Sequence, residues 1–272
     1  MTRALGVNRS SVYKIKVDNL SKVSNSRCYE KADDQLIVQG VRDVIKLRPT
    51  YGYKRVTAML NRTRRQAGEP VFNRKRVYRI MKMFGLILPK VSSRRDHVPT
   101  GKVMTLHSNT RWCSDAFEVQ CFNGEKVYTA FALDCKDREA ISFVSSCDPL
   151  TSIEIQNLMV TSVENRFQGL HTPRQIEWLT DRGSIYRALN VRQTAFQLGL
   201  KCCYTASYSP QSNGMAESFV KTFKRDYVYN NDCHSAEVVM KMIPQWMEDY
   251  DTNAPHSALG MMSPMEYKGS QF

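Results

Sequence analysis

The sequence predicts an α/β fold, a mixed five-stranded sheet flanked by helices, preceded by a small all-α, basic helix-turn-helix-like region. Three observations carry this prediction. The net charge of +13 divides unevenly: residues 1–110 hold 24 Lys+Arg against 7 Asp+Glu (+17), and residues 111–272 hold 15 against 19 (−4). The patterning changes at Arg111 from basic helical repeats to strand-like alternation. From there the elements run as three strands, a helix, then alternating strand and helix.

Length and composition set the bounds. A chain of 272 residues has room for one sizeable core and a smaller module, and 42% apolar with 24% charged residues is ordinary globular usage. No run of eighteen apolar residues predicts a membrane span, and MTRALGVNRSS lacks the apolar centre of a secretory signal. Eight cysteines occur without any C-x-x-C, and five histidines without paired ligand spacing. They read as free, mostly buried thiols of a reducing cytosol, not as disulfides or a zinc site.

The basic block comes first. ALGVNRSSVYKIK reads as the second half of a helix-turn-helix, with Gly6 at the turn, Asn8 as cap, and Val12 and Ile15 as the apolar stripe. Its first helix would lie before Met1, so residues upstream of this start are expected. Leu36, Ile37, Val41, Val44 and Ile45 predict a helix over 34–47, and Arg48 to Gly52 breaks it. A second helix carries Val56, Met59 and Leu60. Asn73 caps a third, with Val77, Ile80, Met81 and Phe84 inward. Arg74, Lys75, Arg76, Arg79 and Lys82 decorate its outer side and, with Lys54 and Arg55, are candidate DNA contacts. The helical region is placed at 1–88, an aperiodic linker at 89–110, and the core with a C-terminal helical extension at 111–272.

The second block opens with RWCSDAFEVQCF, a strand, and Asn123-Gly124, a hairpin turn. KVYTAFALDC pairs back, and DCKDREA turns into ISFVSS, completing an antiparallel meander. TSIEIQNLMVTSVENRF predicts a helix with Ile153, Ile155, Leu158, Met159 and Val163 inward. RQIEWLTDRG is a strand, residues 186–198 a helix, LKCCYT a short strand, and SPQSNGMAESFVKTFKRDY a turn running into a helix. This is the element order of a ribonuclease-H-like fold.

Three acids stand out. Asp115 shares a strand face with Cys113, Phe117 and Val119, where a carboxylate is costly unless a metal or other charge compensates it. Asp181 ends its strand at the carboxyl edge of the sheet, where open α/β folds place function. Glu217 opens a helix on which Lys221 and Lys224 share its side, while Phe219, Val220, Phe223 and Tyr227 face the sheet. Val228 falls on the Glu217 side by the same angle. Each acid alone has an ordinary structural account: strand edge, turn former, helix N-terminus. Together they suit phosphodiester chemistry, in which two Mg²⁺ ions roughly 4 Å apart activate the nucleophile and stabilise the leaving oxygen.

WCSDAFE, LDCKDREAISF, EWLTDRGSIY, SPQSNGMAESFVKTFKRDY and NAPHSALGMMSPMEY resemble bacterial insertion-sequence transposases with a retroviral-integrase-type core. Within that family they are similar to the catalytic protein encoded by the second of two overlapping frames. The resemblance spans nearly the whole chain, and 35 residues separate Asp181 from Glu217, as in the family's D-D-E pattern. It implies that Asp115, Asp181 and Glu217 are catalytic ligands of Mg²⁺ or Mn²⁺, two ions in all. It implies cleavage at element ends, then attack of the freed 3′-hydroxyl on another phosphodiester. Double-stranded DNA as partner (terminal repeats and target), a homo-oligomeric synaptic complex, an upstream-frame DNA-binding protein and a cytoplasmic, DNA-associated location follow in the same way.

Two departures from the family stand out. Arg182 replaces the asparagine that often follows the second acid, and Ala254 stands where relatives often carry a larger or basic residue. Lys221, Lys224, Arg225 and Arg182 are candidate DNA contacts. Trp112 and Trp178 read as core, His256 as a turn or packing residue, and Ser209 and Ser212 as turn formers, not nucleophiles. A nuclease that only hydrolyses, or an inactive DNA-binding remnant with Arg182 in its favour, remain the rival readings.

Overall fold

The computed structural model describes residues 34–89, 105–205 and 213–271. The helix-turn-helix half at residues 1–33, most of the linker, and Ser209, Pro210 and Ser212 lie outside them. Three helices come first: α1 (Asp34–Leu47), α2 (Tyr53–Gln66) and α3 (Arg74–Met83). Their core is Ile37, Val41, Tyr51, Val56, Val77, Ile80 and Met81. The Asn73 side chain accepts from Lys75 N–H as the α3 cap.

The sheet contains β1 (Arg111–Gln120), β2 (Lys126–Asp134), β3 (Ala140–Ser146), β4 (Ile176–Thr180) and β5 (Leu200–Tyr204), ordered β3-β2-β1-β4-β5. The meander is antiparallel, and β4 and β5 join parallel, so the sheet is mixed. Between β3 and β4 lies α4 (Ser152–Phe167). The predicted 186–198 helix is two, α5 (Ser184–Arg187) and α6 (Leu189–Leu198), because Ala188 is extended at φ −53°, ψ 143°. After β5 come α7 (Gly214–Asp226), α8 (Ala236–Thr252) and α9 (Pro264–Gly269).

Period-two alternation along β1 sends neighbouring residues into two different cores. Trp112 faces α4 and α6, joining Trp178, Ile155, Leu158 and Val191. Cys113, Phe117 and Val119 face α7 and α8, joining Phe131, Phe219, Phe223, Trp246 and Tyr250. Each fully buried Phe here contributes about 1.5–3 kcal/mol. Phe219 meets Phe131 at a ring separation of 4.3 Å and Phe223 meets Phe117 at 5.5 Å, which presses α7 onto the centre of the sheet.

Three face assignments need correction. Ile153 is exposed in the first turn of α4, ahead of its buried stripe. Phe84 caps α3 from outside the helix, its exposed ring under Arg42. Val228 is buried, not beside Glu217, because α7 ends at Asp226 and a 3₁₀ turn rotates the chain inward. The cysteines agree with the free-thiol expectation. Cys113, Cys121, Cys135 and Cys233 are buried and unpaired, and only Cys147 of the seven described is exposed.

Candidate active site

The acids converge through three separate devices. The first is register. In the parallel pair, Cys113 lies beside Leu179. The same offset carried two residues further sets Asp115 level with Asp181, just past the last rung. The second is alternation, which turns Asp115 toward the α7 side of the sheet with Cys113 and Phe117. The third is a tether. Asn213, buried at the start of α7, donates its side-chain amide to the Ser114 carbonyl at 3.3 Å. Glu217 follows one turn later on the same helix face.

Local contacts orient the carboxylates. Asp115 Oδ1 accepts from Ala116 N–H at 2.8 Å, and Asp181 Oδ1 accepts from Gly183 N–H at 2.9 Å. A Cβ on Gly183 would come within 3.0 Å of Asp181 Oδ1 and 3.5 Å of the Tyr186 ring, so glycine keeps room for that carboxylate. Tyr186 is buried under the site, and Ser114 Oγ donates to its hydroxyl at 3.4 Å. Burial raises the Tyr186 pKa, the Ser114 hydrogen bond opposes that, and the fields of Asp115 and Asp181 add to it.

The electrostatics single out Asp115. Burial raises its carboxyl to about 6; the Ala116 N–H opposes the shift, and the Asp181 and Glu217 charges reinforce it. Other buried acids of the core are compensated differently. Asp134 and Asp137 both pair with Arg166, at 3.1 and 2.8 Å. Asp115, Asp181 and Glu217 have no ion pair among the described residues. Nor do any three His, Cys, Asp or Glu side chains among those residues form a ready ion cage. Three like charges sharing a face without a cation repel one another, and an all-oxygen donor set is the kind that Mg²⁺ or Mn²⁺ prefers.

The candidate DNA-contacting cations divide into two groups. Lys54, Arg74, Lys75 and Lys221 are exposed, and Lys224 lies over the Phe117 ring at 5.8 Å. Arg182 is exposed and donates Nε to the Thr205 carbonyl at 3.0 Å, bracing the chain where it leaves β5. The others are engaged in ion pairs. Arg76 and Arg79 both pair with buried Asp34. Arg55 and Arg225 both pair with buried Asp226, at 2.6 and 2.7 Å.

Comparison with known proteins agrees with this architecture. Residues 106–210 and 198–264 match integrase core domain families, and residues 31–95 match an HTH-like domain. The chain is 43% identical over 273 residues to transposase InsD of insertion element IS2A/D/F/H/I/K of Escherichia coli, covering 98% of this chain and 89% of that protein. It belongs to the insertion-element transposases. The transposase is equally similar to InsD of IS2-9 from strain K12, 43% identical with 87% of that protein covered. Its fold is shared with a chain of the simian T-cell lymphotropic virus intasome bound to PP2A regulatory subunit B56 gamma. That match has a TM-score of 0.50 at 13% identity, over 84% of this chain and 73% of that one.

This transposase has a ribonuclease-H-like integrase core and is an enzyme of DNA transposition. Trp112 and Trp178 are core residues, as expected, and Ala254 is fully buried, so a larger side chain would not fit there without repacking. Sequence reasoning missed Tyr186 and Gly183 as supports, and Asn213, which holds the cap position of α7, spends its side chain on Ser114 and not on the helix.

Proposed function

We propose that the transposase cleaves one strand at each end of its element and joins the freed 3′-hydroxyl to another phosphodiester, with Asp115, Asp181 and Glu217 as metal ligands. The observation that supports this reading is that Asp115 lies within electrostatic reach of both Asp181 and Glu217 while none of the three has an ion pair among the described residues. Mg²⁺ or Mn²⁺, two ions when bound, would activate the attacking oxygen and stabilise the leaving oxygen. The residues of the chain do the positioning. Gly183 N–H and Ala116 N–H orient two carboxylates, and buried Phe219 and Phe223 hold α7 rigid so that Glu217 faces the strand acids.

Double-stranded DNA is the substrate in this reading, both element ends and target. Exposed Arg74, Lys75, Lys54 and Lys221, together with Lys224 and Arg182, supply phosphate contacts. The helical region at 1–88 would grip DNA, with 89–110 as the linker and 111–272 as the core. Holding two ends at once calls for more than one copy of the chain in a synaptic complex, fused to or helped by an upstream-frame protein, at DNA in the cytoplasm. Among the described residues no helix is long and apolar enough to cross a membrane.

The test incubates the full protein with labelled element ends and Mg²⁺. Joined strands are expected from the native chain. Asn at 115 or 181, or Gln at 217, should lower joining by about 10³-fold while DNA binding persists. Nicking without joining would favour the purely hydrolytic reading, and binding alone the inactive remnant.

A further inference from the structure

A cavity of about 370 Å³ opens between α7, the β2–β3 turn, α2 and the segment around His256. Three arginines line it, Arg55, Arg138 and Arg225, with His256 and the hydroxyl residues Ser218 and Thr222, and no carboxylate does. Arg55 and Arg225 share one buried acid, Asp226, behind the wall. Arg138 has neither ion pair nor side-chain hydrogen bond among the described residues. The lining therefore carries about two uncompensated positive charges.

Three buried nitrogens here also have no hydrogen-bond partner: Arg55 Nε, Arg138 Nε and His256 Nε2. Buried polar atoms are normally satisfied, so three unpartnered nitrogens in the residues around one cavity leave its hydrogen-bonding capacity unspent. His256 is held neutral, its pKa lowered to about 4 by burial and then by Arg55 and Arg138. In its Nε2–H tautomer it is a further neutral donor. Arg138 itself sits in the left-handed region, at φ 65°, where an arginine is strained and glycine is not. Ser218, Thr222 and Arg225 lie roughly 80–140° round α7 from Glu217, so the cavity opens on the flank of the helix that carries that acid.

We propose that this cavity is a phosphate-binding pocket, with Arg138 as its principal cation, that seats a backbone phosphate of DNA on the flank of the helix carrying Glu217. Arginine forks, an imidazole N–H and hydroxyls are a donor set for phosphate oxygens, and no lining carboxylate is present to hold a cation, while Leu133, Met215, Phe219 and Met261 complete the wall. The choice of DNA over free phosphate rests on the strand-transfer reading above; the pocket itself does not.

The test compares the full chain with Arg138→Gln and Arg138→Gly, the second keeping the turn because glycine adopts its backbone freely. Calorimetric titration with inorganic phosphate should show affinity lowered about tenfold or more in both variants, the scale of one charge-assisted hydrogen bond. Anisotropy of a labelled duplex over a salt series should show the slope of log affinity reduced by about 1. Weakened phosphate binding with an unchanged DNA slope assigns the pocket to free phosphate and overturns the DNA assignment. Unchanged binding of both probes, or a loss seen in Arg138→Gln alone, overturns the pocket. Asp115→Asn should keep the native salt slope while losing strand joining, so failure of the catalytic reading leaves this result readable.

Discussion

The amide of Asn213 reaches across from the first turn of α7 to the carbonyl of Ser114, the residue before Asp115. This one hydrogen bond couples the helix carrying Glu217 to the strand carrying its partner acid. Asn213→Ala should therefore lower strand cleavage about tenfold while costing only about 1 kcal/mol of stability. Cleavage rate and thermal unfolding measured side by side check it; a rate at the native level would remove the tether from the mechanism.

Gly183 has an ordinary backbone, φ −54°, so an added methyl group acts through contact alone. Its Cβ would press on Asp181 Oδ1 from 3.0 Å, and the carboxylate must give by a few tenths of an ångström. Gly183→Ala should reduce joining by about tenfold with a melting temperature near that of the native chain. Joining is read from labelled element ends and folding from calorimetry.

Asp226 holds the helical region to the core. It accepts from Thr50 at 2.6 Å and pairs with Arg55 and Arg225. Burial pushes its carboxyl up, but the arginines and Thr50 outweigh burial and the pKa is lowered. A lowered carboxylate stabilises the fold above its unfolded pKa and loses that contribution as pH falls through the folded value. Asp226→Ala leaves Arg55 buried without its partner and should cost about 3–5 kcal/mol. Denaturant titrations should show the variant less sensitive than the native chain to acid below about pH 4.

Asp115 has the opposite sign. Its folded pKa of about 6 lies above the unfolded value, so the folded protein binds the extra proton between about pH 4 and pH 6. Stability from that proton is complete below about pH 4 and is lost as pH rises through about 6, at most about 3 kcal/mol. In metal-free buffer, Asp115→Asn should flatten this decline. A variant whose stability falls as steeply as the native chain from pH 4 to 7 would show that Asp115 is not the group responsible.

Periodicity made much of the architecture legible before any coordinates. The helices at 34–47 and 53–66, the Asn73 cap, the Asn123-Gly124 hairpin and the five strands all follow from local patterns that short-range sterics and burial enforce. The inward turn of Asp115 was legible too, because alternation along a strand needs no tertiary information. Ile153, Phe84 and Val228 were misplaced because a helix's first and last turns depend on where the neighbouring element stops. The cations were the least legible. Arg55, Arg76, Arg79 and Arg225 looked alike as charges in sequence, yet each pairs with a buried acid.

By itself, then, the sequence determined the order of elements, the face of each strand and the three acids with their spacing, all properties of residues near one another along the chain. Packing over long sequence separations set which arginines pair with a buried acid. Arg76 finds Asp34 across 42 residues and Arg55 finds Asp226 across 171, and pairing at such distances is set by packing. The same packing leaves Arg138 without a partner, facing a cavity that no local pattern announces.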